Sequence, residues 1–181
     1  MKKYIVLLTL LTVLSFRGFS QEKYGRALNL GLGVGYYGYV GHPIPIAHAN
    51  YEIDVVKNLT LAPFISFYTY GNDYYYGNPN IGYQYYSYRD TVIPVGVKSA
   101  YYFDDLLNAG SKWDFYAGGS VGFAIVNSHW DAGYTGDRNV FHGSRPLFLE
   151  VHVGAEYHFS QRLGGFLDLS TGVSTIGLAI H

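Results

Sequence analysis

The stretch that decides the fold is LFLEVHVGAEYHF, residues 147–159, in which every second residue is apolar. Four of the residues between the apolar ones are ionisable: Glu150, His152, Glu156 and His158. Side chains on a β-strand point alternately to opposite faces, so this segment predicts a strand with one hydrocarbon face and one ionisable face. The rest of the chain decides which medium each face contacts.

The N-terminus has the pattern of a secretory signal peptide. Two lysines precede an apolar stretch over residues 4–14, and small residues lie one and three positions before Gln21. This pattern predicts a signal peptide over residues 1–20 and an exported domain over 21–181. The apolar stretch has about half of the roughly 20 residues that a membrane-spanning helix needs.

The composition differs from that of a typical soluble domain. Charged residues make up 14% of the chain, whereas tyrosine contributes 20 residues and glycine 23. A soluble domain usually has about 25% charged residues. The net charge is −1 and no run of Lys or Arg occurs, so a nucleic-acid partner is not expected. The chain has no cysteine, which excludes disulfides, lipoprotein acylation and thiolate metal sites.

Period-two apolar patterns recur downstream and predict eight β-strands. The predicted strands cover residues 28–36, 47–55, 59–70, 91–103, 113–125, 147–159, 165–172 and 173–181. Two polar segments, 71–90 and 127–144, are interpreted as long loops. An even number of strands lets the first pair with the last, so we predict an all-β, antiparallel, up-and-down barrel. Pro63 and Pro94 each remove a hydrogen-bond donor, and local bulges are expected there.

A membrane barrel has its apolar face outward, whereas a soluble, lipocalin-like barrel has it inward. The alternate face is rich in Gly, Ser and Ala over 31–35 and 118–124, which suits a crowded interior. Aromatic residues such as Trp113 and Tyr157 lie beside the compact turns, as in a membrane-interface girdle. The apolar strips run over about nine to thirteen residues, close to what a tilted strand needs to cross lipid. These features favour an eight-stranded transmembrane barrel with its apolar face outward.

Three segments carry a family resemblance: VIPVGVKSAYYF at 92–103, DFYAGGSVGFAI at 114–125 and VHVGAEYHFSQRLGGFLDLSTGVSTIGLAI at 151–180. They resemble the small eight-stranded outer-membrane β-barrel proteins of Gram-negative bacteria, the OmpX and OmpW-like group. The resemblance implies residence in the cell outer membrane, contact with outer-membrane lipid and lipopolysaccharide, and insertion by the barrel assembly machinery. Such barrels usually end on an aromatic residue, whereas this chain ends with Ile180 and His181.

The predicted inner face carries ionisable residues from several strands. They are His48, Glu52, Asp54, Lys98, Glu150, His152, Glu156 and His158, joined by Asp168. We interpret them as an interior polar network that fills the lumen, because buried charges must be paired. The alternative is a metal site or proton relay, which would need partners from adjacent strands, since residues two apart lie about 6–7 Å apart. We expect no resident metal or cofactor.

The segment 71–90 is the candidate surface-recognition element. Tyrosine offers a large contact area at low entropic cost. The candidate contact residues are Tyr74, Tyr75, Tyr76, Tyr83 and Tyr85, with Trp130 from the second polar segment. The alternative is structural, with residues 83–88 simply extending a hairpin above the membrane.

Two motifs raise the alternative of a lipid A-modifying enzyme. His158 and Ser160 superficially match the His-x-Ser of outer-membrane lipid A deacylases, but alternation directs His158 inward and leaves Ser160 in a turn. The second motif comprises His129, Asp131, Asp137 and His142. It suits a metal site or a palmitoyltransferase-like site. The alternative is that these are simply the polar residues expected in an exposed loop.

The favoured function is a non-catalytic integral outer-membrane barrel with a structural or surface-interaction role. Eight strands leave little more than side-chain room inside, so a pore is not expected. Long loops give such a barrel the means to bind an extracellular ligand. The alternatives are a lipid A-modifying enzyme in the same fold and a soluble periplasmic ligand-binding barrel.

Overall fold

The computed structural model describes residues 24, 26–35, 44–78, 80, 82–107, 109–136 and 147–181. The predicted signal peptide lies outside the described residues. The strands are β1 (Leu28–Gly35), β2 (Ile44–Tyr51), β3 (Ile53–Val56), β4 (Leu59–Asn78), β5 (Gly82–Tyr102), β6 (Trp113–Trp130), β7 (Leu147–His158), β8 (Leu163–Ser170) and β9 (Val173–Ile180). A short helix, Asp104–Leu107, follows β5. Within these ranges, no helix is both long and apolar enough to cross a membrane.

The nine described strands form one antiparallel sheet that closes on itself. Their order is β2-β1-β9-β8-β7-β6-β5-β4-β3, and β2 also pairs with β4. β2 and the start of β3 share one register against β4, with Asn50 opposite Phe64 and Ile53 opposite Leu61, and the register shifts between Asp54 and Val56. They are two parts of a single barrel strand, interrupted at Glu52, whose backbone bonds to Arg26 and Ala27 instead. The predicted eight-stranded antiparallel barrel is therefore confirmed.

The two faces of the wall have opposite polarity, as the alternation predicts. On β7, Leu149 and Val151 are 77% and 64% exposed, whereas Glu150 and His152 are 7% and 6% exposed. The outward apolar belt continues around the barrel through Leu30, Leu32, Phe67, Val97, Val121, Phe123, Leu167, Leu169, Ile176 and Leu178. An apolar surface of this extent suits hydrocarbon, and the closed sheet satisfies the backbone groups that lipid cannot. The fold is that of a transmembrane β-barrel.

An aromatic strip lies on the outer surface at the end with compact turns. The ring of Trp113 is 5.8 Å from that of Phe115 and 4.8 Å from that of Tyr157. Phe159 continues the strip, 5.6 Å from Tyr157. Aromatic rings of this kind mark the boundary between hydrocarbon and water. Short turns at this end are typical of the periplasmic side.

The bulges expected at Pro63 and Pro94 do not occur in the described strands. The β4–β5 and β5–β6 registers pass both prolines without a shift. The ladder is interrupted instead: Pro94 is paired with Ala124 on β6 but has no bridge partner on β4, and Pro63 lies opposite the break between β2 and β3. Each proline lacks an N–H donor, but it lies where the ladder is already interrupted. No bulge residue is therefore needed beside it.

The prediction of a long loop over residues 71–90 is wrong. These residues extend β4 and β5 as a paired hairpin, with Gly71 opposite Arg89 and Asn78 opposite Gly82. Tyrosine favours extended, paired backbone, and the composition that resembles a loop is compatible with a strand outside lipid. At 20 and 21 residues, β4 and β5 are about twice as long as a strand needs to be to cross the bilayer. The hairpin therefore projects beyond the belt on the extracellular side.

The second predicted loop is only partly described. Its first residues, 127–130, continue β6 and pair with β5 as far as Trp130 opposite Tyr88. Residues 131–136 follow as turns, and 137–146 lie outside the described part of the chain. The start of this segment is therefore strand rather than loop.

Candidate functional site

An ionic cluster centred on Asp168 crosses the middle of the lumen. One carboxylate oxygen, Oδ2, contacts Lys98 Nζ and accepts a hydrogen bond of 2.8 Å from the Tyr116 hydroxyl. The other oxygen, Oδ1, is 2.8 Å from His152 Nδ1. The Lys98 ammonium also lies 4.3 Å from the centre of the Tyr116 ring. Strands β5, β6, β7 and β8 supply these groups, and both oxygens of the buried carboxylate are paired, as burial of a charge requires.

His152 connects this cluster to Ser120 and Glu150. Its second ring nitrogen, Nε2, is 2.9 Å from Ser120 Oγ and 3.4 Å from a Glu150 carboxylate oxygen. The order of contacts from Ser120 through His152 to Asp168 is that of a serine-hydrolase triad. The adjoining cavity has a volume of about 20 Å³, however, which is room for about one water molecule. The luminal cavity beside the Ser120 hydroxyl is therefore too small for a substrate carbonyl.

Glu52 forms a second polar centre on the neighbouring wall. It accepts hydrogen bonds from the Tyr102 hydroxyl at 2.6 Å, from Asn29 Nδ2 at 3.1 Å and from Thr60 Oγ1 at 3.2 Å. Three donors from three different strands satisfy this buried side chain. Glu52 also lies at the point where β2 gives way to β3, so its hydrogen bonds reinforce the wall where the ladder is broken.

His48 and Asp54 occupy the same barrel strand but differ in their surroundings. His48 Nδ1 is 2.8 Å from Ser66 Oγ, and Nε2 is 3.2 Å from Asn50 Nδ2. Asp54 is partly exposed, and its buried Oδ2 atom has no hydrogen-bond partner among the described residues. The structure therefore brings His48 into a hydrogen-bonded chain but does not join Asp54 to it.

A third cluster lies at the periplasmic mouth, and we call Asp114, Glu156, His158 and His181 the mouth cluster. Glu156 Oε1 is 2.7 Å from His181 Nε2 and 3.8 Å from His158 Nδ1. The other nitrogen of His158, Nε2, is 2.7 Å from Asp114 Oδ2. The hydrogen bond to the Glu156 carboxylate raises the pKa of the His181 imidazole above its ordinary value.

Two members of the mouth cluster were missed by the sequence analysis. Asp114 could have been found from the alternation along β6, because it lies on the same inward face as Tyr116 and Ser120. His181 follows the last apolar strand and comes near Glu156 only because β9 pairs with β8, with Ile180 opposite Leu163. No local pattern identifies such a neighbour.

The extracellular end of the lumen is filled mainly by aromatic side chains. We call Tyr70, Tyr74, Tyr86, Tyr88, Trp130 and Tyr134 the aromatic cap. The Trp130 ring stacks on Tyr134 with centroids 4.0 Å apart and lies 5.2 Å from Tyr88. The Tyr70 hydroxyl donates to Asp90 Oδ2 at 3.0 Å.

The predicted surface-recognition residues divide between the inside and the outside of the hairpin. Trp130 is only 7% exposed, and Tyr74 is half-buried against it, 5.7 Å between ring centroids. Tyr85 is 73% exposed on the outer face. The backbones of Tyr75, Tyr76 and Tyr83 are paired within the hairpin, and their side chains lie outside the described part of the structure.

A polar recess of about 530 Å³ lies on the outer side of the projecting hairpin, and we call it the hairpin recess. Its lining includes Asp73, Ser87, Arg89, His129 and Asp131. Ser87 Oγ donates to Asp73 at 2.7 Å, and the Ser87 amide donates to Asp131 at 3.1 Å. Two of the four residues proposed for a palmitoyltransferase-like site thus line this recess, while Asp137 and His142 lie outside the described residues.

The deacylase-like pair is engaged in two different structural roles. Ser160 Oγ accepts hydrogen bonds from the amides of Arg162 at 3.2 Å and Leu163 at 3.1 Å. It therefore caps the turn before β8, as the alternation predicts. His158 bonds to Asp114 in the mouth cluster.

Comparison with known proteins yields similarities of fold. No family model matches the chain, and no curated protein matches it significantly. The chain is similar to Neisserial surface protein A, with 14% identity and a TM-score of 0.49 over 85% of this chain and 94% of that one. It is similar to a de novo designed transmembrane β-barrel, with 15% identity and a TM-score of 0.45 over 88% of this chain and 98% of that one. It is also similar to the structure of Ail, the attachment invasion locus protein of Yersinia pestis, that was determined in complex with the heparin analogue sucrose octasulfate. The identity is 8% and the TM-score 0.40, over 85% of this chain and 94% of that one.

The architecture itself defines the class of protein. A closed eight-stranded sheet, a belt of exposed apolar side chains and an aromatic strip beside the short turns are together typical of bacterial outer-membrane barrels. The chain is a small outer-membrane β-barrel.

Proposed function

We propose that this barrel is non-catalytic and acts at the cell surface through its projecting β4–β5 hairpin. The observation that carries the proposal is the length of that hairpin, whose strands of 20 and 21 residues extend well beyond the lipid-facing belt. The aromatic cap packs its inner side, which supports a rigid outer surface. Rigidity before binding lowers the entropic cost of recognition.

The proposed ligand is hydroxyl-rich and extracellular, of the saccharide class. The hairpin recess combines acceptors from Asp73 and Asp131 with donors from Arg89, and the exposed Tyr85 ring lies on the same outer face of β5. Saccharides present alternating hydroxyl groups and flat carbon faces, which suit mixed donors and acceptors beside an aromatic ring. An apolar ligand would remove the charged groups of the recess from water without replacing their hydration.

The test compares the whole protein with a variant whose hairpin is shortened. Replacing residues 72–88 with Asn-Gly keeps Gly71 opposite Arg89 and closes the strands with a two-residue turn. Both proteins, reconstituted in nanodiscs, are applied to a panel of surface and extracellular-matrix glycans. We expect binding by the whole protein and at least about a tenfold loss in the shortened one. Equal binding by two folded barrels, or binding by neither, would contradict the proposal.

The absence of catalysis has its own test, because the contacts of Ser120, His152 and Asp168 resemble those of a hydrolase. A cavity of about 20 Å³ supports a structural role for these three residues. We expect no labelling of the folded protein by a fluorophosphonate probe. Labelling that disappears in Ser120→Ala would favour the lipid A-modifying alternative instead.

Export and assembly are also part of the proposal. Cleavage after the predicted signal peptide would leave Gln21 at the N-terminus, which sequencing of the protein purified from membranes would establish. The apolar belt would contact outer-membrane lipid and lipopolysaccharide, and insertion would depend on the barrel assembly machinery. Depletion of that machinery is expected to lower the amount of folded barrel in the membrane.

A further inference from the structure

Glu156, His158 and His181 meet around one point at the periplasmic mouth of the barrel. One donor atom from each lies within 4.8 Å of the other two. The Glu156 carboxylate oxygen is 2.7 Å from His181 Nε2 and 3.8 Å from His158 Nδ1, and the two imidazole rings are 5.0 Å apart. The end of β7 lies close to the residue that follows β9 because both strands pair with β8.

Asp114 orients one of these imidazoles. Its Oδ2 atom is 2.7 Å from His158 Nε2, on the side of the ring away from Glu156. Histidines that bind metal ions usually donate their second ring N–H to a carboxylate, which fixes the tautomer. A proton held on Nε2 by Asp114 leaves the lone pair of Nδ1 directed towards Glu156 and His181.

The mouth cluster is accessible from the periplasmic side. His158 and Asp114 line a recess of about 780 Å³ together with residues of the turns at 109–112 and 159–161. The side chains of His158 and His181 are partly exposed, whereas Glu156 is buried behind them. An ion can therefore enter from water and meet a carboxylate at the back of the site.

We propose that the mouth cluster binds one divalent transition-metal ion, with zinc as the best fit. Glu156, His158 Nδ1 and His181 Nε2 supply three ligands, and water supplies the fourth. Two imidazoles, one carboxylate and an open position form a common tetrahedral zinc set. Bonds of about 2.0–2.1 Å place tetrahedral ligands roughly 3.3 Å apart, and the observed spacings of 2.7 and 3.8 Å lie on either side of that value. Small side-chain movements are enough to complete the site.

The experiment titrates zinc chloride into the whole protein in detergent micelles after treatment with a chelator, with calorimetric detection. We expect one ion per chain. His181→Ala should weaken binding by more than about tenfold, and Asp114→Ala by about 10–100-fold, because it removes the acceptor of the orienting hydrogen bond. Gln161→Ala is the matched control, since Gln161 is exposed and lines the same recess but supplies no ligand to the cluster. Its affinity should equal that of the wild type.

Two outcomes would overturn the proposal: no saturable binding by the wild-type protein, or unchanged affinity in a folded His181→Ala. His181 follows the last strand, and its backbone amide donates to the carbonyl of Arg162 in the neighbouring turn. This bond does not involve the side chain that His181→Ala removes. NMR of the histidine rings in the wild type gives a readout that needs no variant. Zinc should shift the His158 and His181 signals and leave those of His48, which lies inside the lumen, in place, and equal shifts at all three would count against the site.

Discussion

The barrel inverts its polarity between the lipid-spanning part and the projecting hairpin. On β5, Lys98 faces inward and Val97 outward within the belt, whereas Tyr88 faces inward and Arg89 outward beyond it. The inward parity of the strand never changes. What changes is the medium outside the wall, from hydrocarbon to water, and the residues on both faces change with it.

This comparison shows that the two regions are stabilised by different interactions. In the belt, the outward apolar side chains contact lipid. The lumen there contains charged side chains that pair across strands, as Lys98 and Asp168 do. In the hairpin, no lipid is available, so the strands need a core of their own. Trp130, Tyr88 and Tyr134 supply that core.

Loss of the central ion pair should have the largest effect. Lys98→Met leaves the buried Asp168 carboxylate without its ammonium partner, and we expect the free energy of unfolding to fall by about 3–5 kcal/mol. Urea titration of the barrel in micelles measures it. The control is Lys112→Met, in an exposed turn, which should change stability by less than about 0.5 kcal/mol. Equal losses in the two variants would contradict the paired lumen.

A charge introduced into the belt should have the next largest effect. Val153→Arg on the outer face of β7 is expected to lower stability in bilayers by about 2–4 kcal/mol near the midplane. Its neighbour Gly154 faces inward, and a Cβ atom there would overlap the Tyr116 ring, so Gly154→Ala should cost about 1–3 kcal/mol through crowding. A neutral Val153→Arg would mean that lipid does not surround this face.

The two tryptophans allow a matched test of the aromatic cap. Trp130→Ala removes the ring stacked on Tyr134, and we expect local opening of the hairpin to become easier by about 1–2 kcal/mol. Hydrogen exchange at residues 71–90 should accelerate while the amides of β7 and β8 keep their protection. Trp113→Ala, on the outer girdle, should leave the hairpin amides unchanged. Uniform loss of protection after Trp130→Ala would show that the cap and the belt unfold as one unit.

The exposed tyrosine should have the smallest effect on stability. Tyr85→Ser removes a side chain that is mostly in water, and we expect the free energy of unfolding to change by less than about 0.5 kcal/mol. The same variant should weaken binding to any glycan recognised by the hairpin. A stability loss above 1 kcal/mol by urea titration would place Tyr85 in the core of the hairpin instead of on its binding face.

Sequence reasoning was most successful where a single period governs the strand. The alternation over 147–159 predicted which residues of β7 face inward, and the same parity located His48, Lys98 and Glu150 on the inner face. It failed over 71–90, because Tyr, Asn and Gly were interpreted as loop-forming from their polarity. A strand that projects into water has no need of an apolar outer face, so the usual sign of a membrane strand disappears there.

Partner choice in the lumen was beyond what sequence patterns can specify. Asp168 and Lys98 are 70 positions apart, and neither has a local motif that points to the other. The mouth cluster is similar, since His181 follows a strand whose only visible signal is its apolar period. Which side chains meet depends on the order of the strands and the stagger between them.

The alternation of apolar and polar residues is enough to specify the strands and the polarity of their two faces, because alternation is a property of the extended backbone and needs no distant partner. The pairing of the tyrosine-rich segment as a hairpin with its own core, and the contacts of Asp168 with Lys98 and His152, depend on the folded barrel. These contacts arise when the sheet closes, since the barrel's diameter and stagger determine which inward side chains lie within hydrogen-bonding distance.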